Sequence, residues 1–184
     1  PALRANSLNE VIKLAKAEPG KLSLAHGGNG SAMHLAALTF VTLADVKIGL
    51  VPYRGTAPAV TDVIAGHVPL GIADPVPSKG AIGEGKLKPI AVSTRQRFSM
   101  MPDIPTFDEL GLKDFEITAW FGVVAPGGTP REILAKLNAA VVAALKDPEV
   151  ARRIRNVGME PVPTTPAQLD QFVVHVEDLD PELL

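Results

Sequence analysis

Four short apolar runs alternate with helical patterns through the first half of the chain, and Gly, Pro or a capping residue marks nearly every boundary. Residues 22–25, 47–51, 68–73 and 87–92 each have the length and composition of a buried strand. Ser7-Leu8-Asn9-Glu10 is a capping box whose helix is closed by Pro19-Gly20. A second helix is expected over residues 31–44, with Leu35, Leu38 and Val41 at near-helical spacing. A third starts at Thr56-Ala57-Pro58 and stops near Gly66, and a fourth covers residues 77–84. Strands joined by helices pair in parallel, so this order predicts an α/β fold with a parallel-rich sheet covered by helices.

The rest of the chain reads differently. Pro102 and Pro105 mark residues 95–105 as an irregular connection. Thr106-Phe107-Asp108-Glu109 caps an expected short helix ending at Gly111, and residues 116–124 read as a long strand carrying the sole tryptophan, Trp120. Beyond Ala125-Pro126-Gly127-Gly128 the pattern is mostly helical. Thr129-Pro130-Arg131-Glu132 reads as a capping box with Pro at the first helical position, followed by an apolar face of Ile133, Leu134, Leu137, Val141 and Leu145. Asp147-Pro148 opens a further helix that Gly158 stops, residues 160–162 read as a short strand, and Thr165-Pro166-Ala167-Gln168 opens the last helix. Two lobes are therefore expected, residues 1–119 and residues 120–184.

Composition narrows the function. A 46% hydrophobic content and a mean hydropathy of +0.19 suffice for a buried core and argue against disorder. Lys and Arg (18) nearly balance Asp and Glu (20), so no basic stripe invites nucleic acid. No apolar run reaches membrane-spanning length. The absence of cysteine excludes thiol catalysis, disulfides and Cys-based metal sites. His26, His34, His67 and His175 form neither an HExxH nor an HxxxH pattern, so no metal is expected. Gly28-Asn29-Gly30 lacks the third glycine of a dinucleotide fingerprint and the Lys-Ser/Thr of a phosphate loop, so no cofactor is expected either.

Three strand-to-helix junctions carry the candidate chemistry. At His26-Gly27-Gly28-Asn29-Gly30-Ser31, a glycine turn opens onto a helix, leaving backbone N–H groups at the positive end of its dipole. That arrangement suits a carboxylate or another small anion. Gly28, Asn29, Gly30 and Ser31 are candidate contacts, and His34, one turn along, reaches over the same end. At the second junction Tyr53 is a candidate wall, and Gly55 with Thr56 presents another helix start. At the third, Asp74 either accepts from a polar ligand group or braces the loops, because its charge repels a ligand carboxylate. The first junction also reads as a plain strand-to-helix turn that needs glycine, and at the second Tyr53 also reads as packing and Arg54 as a solvated surface charge. In an open parallel sheet, such junctions gather on the rim at the carboxyl ends of the strands.

Taken in order, Gly28-Asn29-Gly30-Ser31 with His34-Leu35, Val51-Pro52-Tyr53-Arg54-Gly55 with Asp62, Asp74 with Pro77-Ser78, Trp120-Phe121-Gly122 and Ala125-Pro126-Gly127-Gly128 resemble the Bug-type solute-binding receptors of tripartite tricarboxylate transporters. The resemblance runs along nearly the whole chain. It implies a type II-like periplasmic binding protein that captures a small carboxylate solute between two lobes and passes it to membrane transporter subunits, without catalysis. By analogy, residues 1–119 are the complete second lobe and residues 120–184 the C-terminal part of the first, whose N-terminal part would be missing. A sheet lacking strands exposes pairing edges, and self-association of such a chain is the expectation. His26 ahead of the glycines, and Ala32 and Met33 after Ser31, depart from the hydroxyl-rich family pattern. That departure points to a ligand with an apolar or aromatic portion. Two rivals are a hydrolase with Ser31 or Ser78 as nucleophile and His34 as base, and a ligand-sensing domain of a signalling system. No Gly-x-Ser-x-Gly elbow supports the former.

Overall fold

Ser7 opens the first helix as its capping box requires, its Oγ accepting from Glu10 N at 3.3 Å. The computed structural model describes residue 3 and residues 5–177, with side chains through residue 173. The expected side chain of His175 and the expected lobe end at residues 178–184 lie outside the described residues. The chain divides into two compact units between Ala119 and Trp120.

The first unit contains α1 (Leu8–Ala17), β1 (Ser23–His26), α2 (Ala32–Leu43), β2 (Gly49–Pro52), α3 (Thr56–Ala65), β3 (Leu70–Gly71) and α4 (Pro75–Gly83). The strands form one parallel sheet in the order β2-β1-β3, with Ser23 opposite Gly49, His26 opposite Pro52 and Ala25 opposite Gly71. A sequence of strand, helix, strand brings every strand back in the same direction, so all three helix-opening loops leave from the same rim.

Leu8, Val11 and Ala15 of α1, Leu24 of β1, and Ala36, Ala37 and Phe40 of α2 form one core, together with Ala44, Ile48 and Phe115. The two alanines let α2 lie close to the sheet. Phe107 bridges Phe40 and Phe115, with ring centres 5.9 and 4.1 Å away. Burial of such side chains contributes roughly 1.5–3 kcal/mol each. Ala25, Ala59 and Val68 make a smaller core beneath α3.

Several expected elements are shorter or absent. Residues 87–92 form no strand, and only Val92 bridges to Thr106, because Pro89 withholds a ladder donor. The Thr106 box does form, with Glu109 N donating to Thr106 Oγ1 at 3.0 Å, yet the chain turns at Gly111 after one turn and no helix follows. Residues 116–124 are not a strand. Ile117 N donates to Ser93 O at 3.0 Å, but no described residue continues the ladder, and Phe121 and Val124 are more than four-fifths exposed. A pleated segment becomes a strand only where a neighbour pairs with it.

The second unit contains α5 (Arg131–Lys146), α6 (Pro148–Asn156) and α7 (Pro166–Glu177). Asp147 caps α6 as expected, accepting from Glu149 N and Val150 N. Gln168 Oε1 accepts from Thr165 N at 2.8 Å, completing the α7 box. The expected box ahead of α5 is not formed. Pro130, not Thr129, is the N-cap, and Thr129 Oγ1 turns back to donate to Pro126 O at 2.7 Å. Residues 160–162 form no strand. Trp120 meets Phe172 of α7 edge to face, with ring centres 5.5 Å apart. Ile133 and Leu137 of the predicted α5 face are about half exposed.

Candidate functional site

The sheet rim joins the first two junctions through their backbones. Tyr53 N donates to His26 O at 3.0 Å, and Gly55 N donates to Gly27 O at 3.1 Å. Two glycines make this approach possible. Gly28 has φ +124°, and a Cβ there would stand 3.1 Å from Tyr53 O. Gly55 has φ +105° and ψ 170°, a region that side-chain-bearing residues scarcely enter.

Ser31 is the N-cap of α2. Its Oγ accepts from His34 N at 3.2 Å and donates to Gly28 O at 2.7 Å. The Gly30 amide donates to His34 Nδ1 at 3.2 Å, and the Ser31 amide donates to Gly28 O at 3.2 Å. The Gly30 and Ser31 amides are therefore engaged by the protein's own groups. Among the described residues, the next two amides, Ala32 and Met33, find no protein acceptor. Asn29, at the exposed tip, places no side-chain hydrogen bond on a described residue.

The third helix brings a second open end. Its N-cap, Gly55, supplies no side-chain acceptor, and the Thr56 and Ala57 amides find no acceptor among the described residues. Thr56 Oγ1 donates instead to Asp74 Oδ2 at 2.6 Å, which links the second junction to the third. Asp74 is also the N-cap residue of α4, whose first turn holds Pro75 and Pro77, and its side chain makes no capping bond there. Tyr53 directs its hydroxyl away from the glycine turn, donating to Asp62 Oδ2 at 2.6 Å. That bond first, then contact with His67, holds the Asp62 carboxyl below its usual range, and the same bond, with burial, raises the Tyr53 phenol. Ser78 Oγ donates to Asp74 O at 3.0 Å.

His26 is the site residue that sequence reasoning left without a role. It ends β1, is fully buried, and stacks on His34 with ring centres 4.6 Å apart and planes 16° from parallel. Gly28 N donates to His26 Nδ1 at 3.4 Å, while the buried Nε2 has no partner among the described residues. Burial lowers the His26 pKa, and the adjacent His34 adds to that effect. One signal was available: a histidine in the last position of an apolar strand, directly before a glycine turn.

The structure thus gathers Gly28, Gly30, Ser31 and His34 into one turn, and ties that turn through Gly27 to Gly55, Thr56 and Asp74. No group of three or more metal-ligating side chains occurs among the described residues. A separate hollow of about 220 Å³ is lined by Arg95, Asp108, Asp114, Phe115 and Glu116. Its three carboxylates suit it poorly to an anion, and Arg95 is already paired with Glu116 at 3.2 Å.

Residues 1–179 match the model of the tripartite tricarboxylate transporter family receptor. Protein BugT of Bordetella pertussis is 34% identical over 173 residues, which are 94% of this chain and 53% of BugT. A Rhodopseudomonas palustris protein solved with adipate superposes with a TM-score of 0.86 at 34% identity, covering 95% of this chain and 58% of that one. The periplasmic binding protein BugD superposes with a TM-score of 0.79 at 31% identity, covering 99% and 63%. The fold is that of these binding proteins, and the chain spans about half the length of the curated relatives it matches.

Proposed function

We propose, because the chain belongs to the tripartite tricarboxylate transporter receptor family, that it is part of a solute-binding protein that holds a small carboxylate and releases it unchanged. The observation that carries this reading is the convergence of three helix N-termini on one sheet rim. Two of them leave amides without acceptors among the described residues, at Ala32 and Met33 and at Thr56 and Ala57. Such amides, with the helix dipoles behind them, stabilise a carboxylate without any formal positive charge. Gly28, Asn29, Gly30, Ser31, His34, Tyr53, Gly55, Thr56 and Asp74 shape that rim. Most of them act by holding loops in place, while Ala32, Met33 and Ala57 add backbone donors.

Residues 1–119 form a complete lobe in this reading, and residues 120–184 the returning part of another. The protein works in the periplasm and delivers its solute to membrane transporter subunits. No helix among the described residues is long and apolar enough to cross a membrane. Binding without catalysis fits the hydroxyl geometry. Ser31 and Ser78 each donate to a backbone carbonyl rather than to an imidazole, so neither is activated as a nucleophile.

The ligand has an apolar portion, as the rim's Met33 and its imidazoles suggest. Adipate, found with the Rhodopseudomonas palustris relative, is such a molecule: two carboxylates separated by methylenes. Isothermal titration of the full gene product against adipate, shorter dicarboxylates, citrate and aromatic monocarboxylates tests this. Saturable one-to-one binding of a dicarboxylate is expected. Tightest binding to citrate would overturn the apolar assignment, and no binding by any carboxylate would overturn the function.

A further inference from the structure

His26 presents a buried polar atom that has no partner among the described residues. Gly28 N–H donates to its Nδ1, so the proton of the neutral ring is carried by Nε2. That Nε2–H is buried and has no acceptor among the described residues. An unmade hydrogen bond of this kind is costly, and native proteins retain few of them. Its position is specific: the ring sits at the carboxyl end of the central strand and takes the amide of the glycine turn. The second imidazole lies over it, and His34 in turn holds the Gly30 amide through Nδ1. The His34 ring therefore lies against the face of the His26 ring and occupies a backbone donor at the same time.

Resting on the carboxylate reading above, we infer that His26 is a ligand-contacting residue whose Nε2–H donates to a carboxylate oxygen of the solute, reached when that carboxylate displaces the His34 imidazole from the Gly30 amide. The exchange trades one neutral hydrogen bond for two made to a charged acceptor, and charge-assisted bonds are about twice as strong. It also accounts for the engaged state of the Gly30 amide: His34 is a placeholder rather than a permanent partner. The burial that keeps His26 neutral preserves it as a donor with a defined tautomer.

The test uses the full gene product, adipate as probe, and two variants. His26→Phe keeps a planar ring for stacking and removes the donor, while His26→Gln keeps one N–H. Thermal denaturation first establishes that both fold. Titration calorimetry should then show His26→Phe weakened by roughly tenfold, the loss expected for one hydrogen bond to a charged group, with His26→Gln recovering part of it. In ¹⁵N-labelled wild type, adipate should shift the His26 Nε2 resonance towards a stronger hydrogen bond and alter the Gly30 amide. A purely structural role would leave the Nε2 resonance unmoved. Adipate binding with equal affinity to wild type and His26→Phe, or an unmoved Nε2 resonance at saturation, would overturn the inference and leave the carboxylate reading standing. Failure of the wild type to bind adipate or any other carboxylate would overturn both.

Discussion

The His26 and His34 rings lie face to face, 4.6 Å between centres, and each takes a backbone N–H of the same glycine turn through Nδ1. Burial first, and the neighbouring His34 ring second, oppose a positive charge on His26. The Gly28 amide is thereby held by an acceptor that depends on the His26 ring being neutral.

Acid should loosen this turn. The folded His26 pKa lies below its ordinary value of 6.5 because of burial. Between that lowered value and 6.5 the unfolded chain binds more protons than the folded one, so stability rises with pH there. The contribution is complete above about pH 6.5 and is lost as pH falls through the window below it. Denaturation curves at pH 7.5 and 5.5 should show a larger drop in midpoint for wild type than for His26→Gln. Equal drops would show that His26 charges as freely when folded as when unfolded.

Ser31→Ala removes an acceptor at the start of α2 and a donor to Gly28 O. A lost cap costs about 1 kcal/mol, with a range of 0.5–2. Ser31→Asp keeps the cap while adding negative charge beside the rim. Urea unfolding should find Ser31→Asp closer to wild type than Ser31→Ala, whereas adipate titration should find Ser31→Asp the weaker binder. The same ranking in both measurements would separate Ser31 from the binding site.

Gly55→Ala tests backbone strain without steric interference. A Cβ at Gly55 meets nothing within 4 Å, so the cost comes from its φ of +105° alone. That backbone region costs a non-glycine residue on the order of 1–3 kcal/mol. Relaxation of the strain would move the Gly27–Gly55 bond and the Thr56 amide, and adipate affinity should fall along with the unfolding midpoint. A variant with unchanged midpoint would show that the loop tolerates another conformation.

Thr56→Val keeps shape and removes the 2.6 Å bond to Asp74. The freed carboxylate then has no described side-chain partner and stands close to the α3 amides. Adipate binding should weaken several-fold, and the weakening should shrink with added salt, because it arises from repulsion. The double variant Thr56→Val with Asp74→Asn should recover affinity. Failure to recover would mean that Thr56 itself, rather than the released charge, matters.

Many of the elements were legible in the sequence because their signals are local. Ser7 with Glu10, and Asp147 with Pro148, mark helix starts by chemistry that spans three or four residues. Gly28 and Gly55 announce turns because only glycine holds their φ values cheaply. Local patterns misled where pairing decides. Residues 116–124 alternate like a strand and pair with almost nothing, and Thr129 imitates a box that Pro130 leaves open.

The candidate site divides along the same line. Its position was written in the sequence: three junctions that follow parallel strands must meet on one rim, because each helix returns the chain in the same direction. Which groups face inward at that rim was decided by the tertiary structure. Nothing near His26 in the sequence says that His34 will stack on it, that Gly30 will be occupied, or that Thr56 will restrain Asp74. Those contacts join residues 4–18 positions apart, through a sheet whose register aligns them. A chain's local propensities select its elements; only the packing of those elements determines which polar atoms are satisfied and which are left waiting for an acceptor.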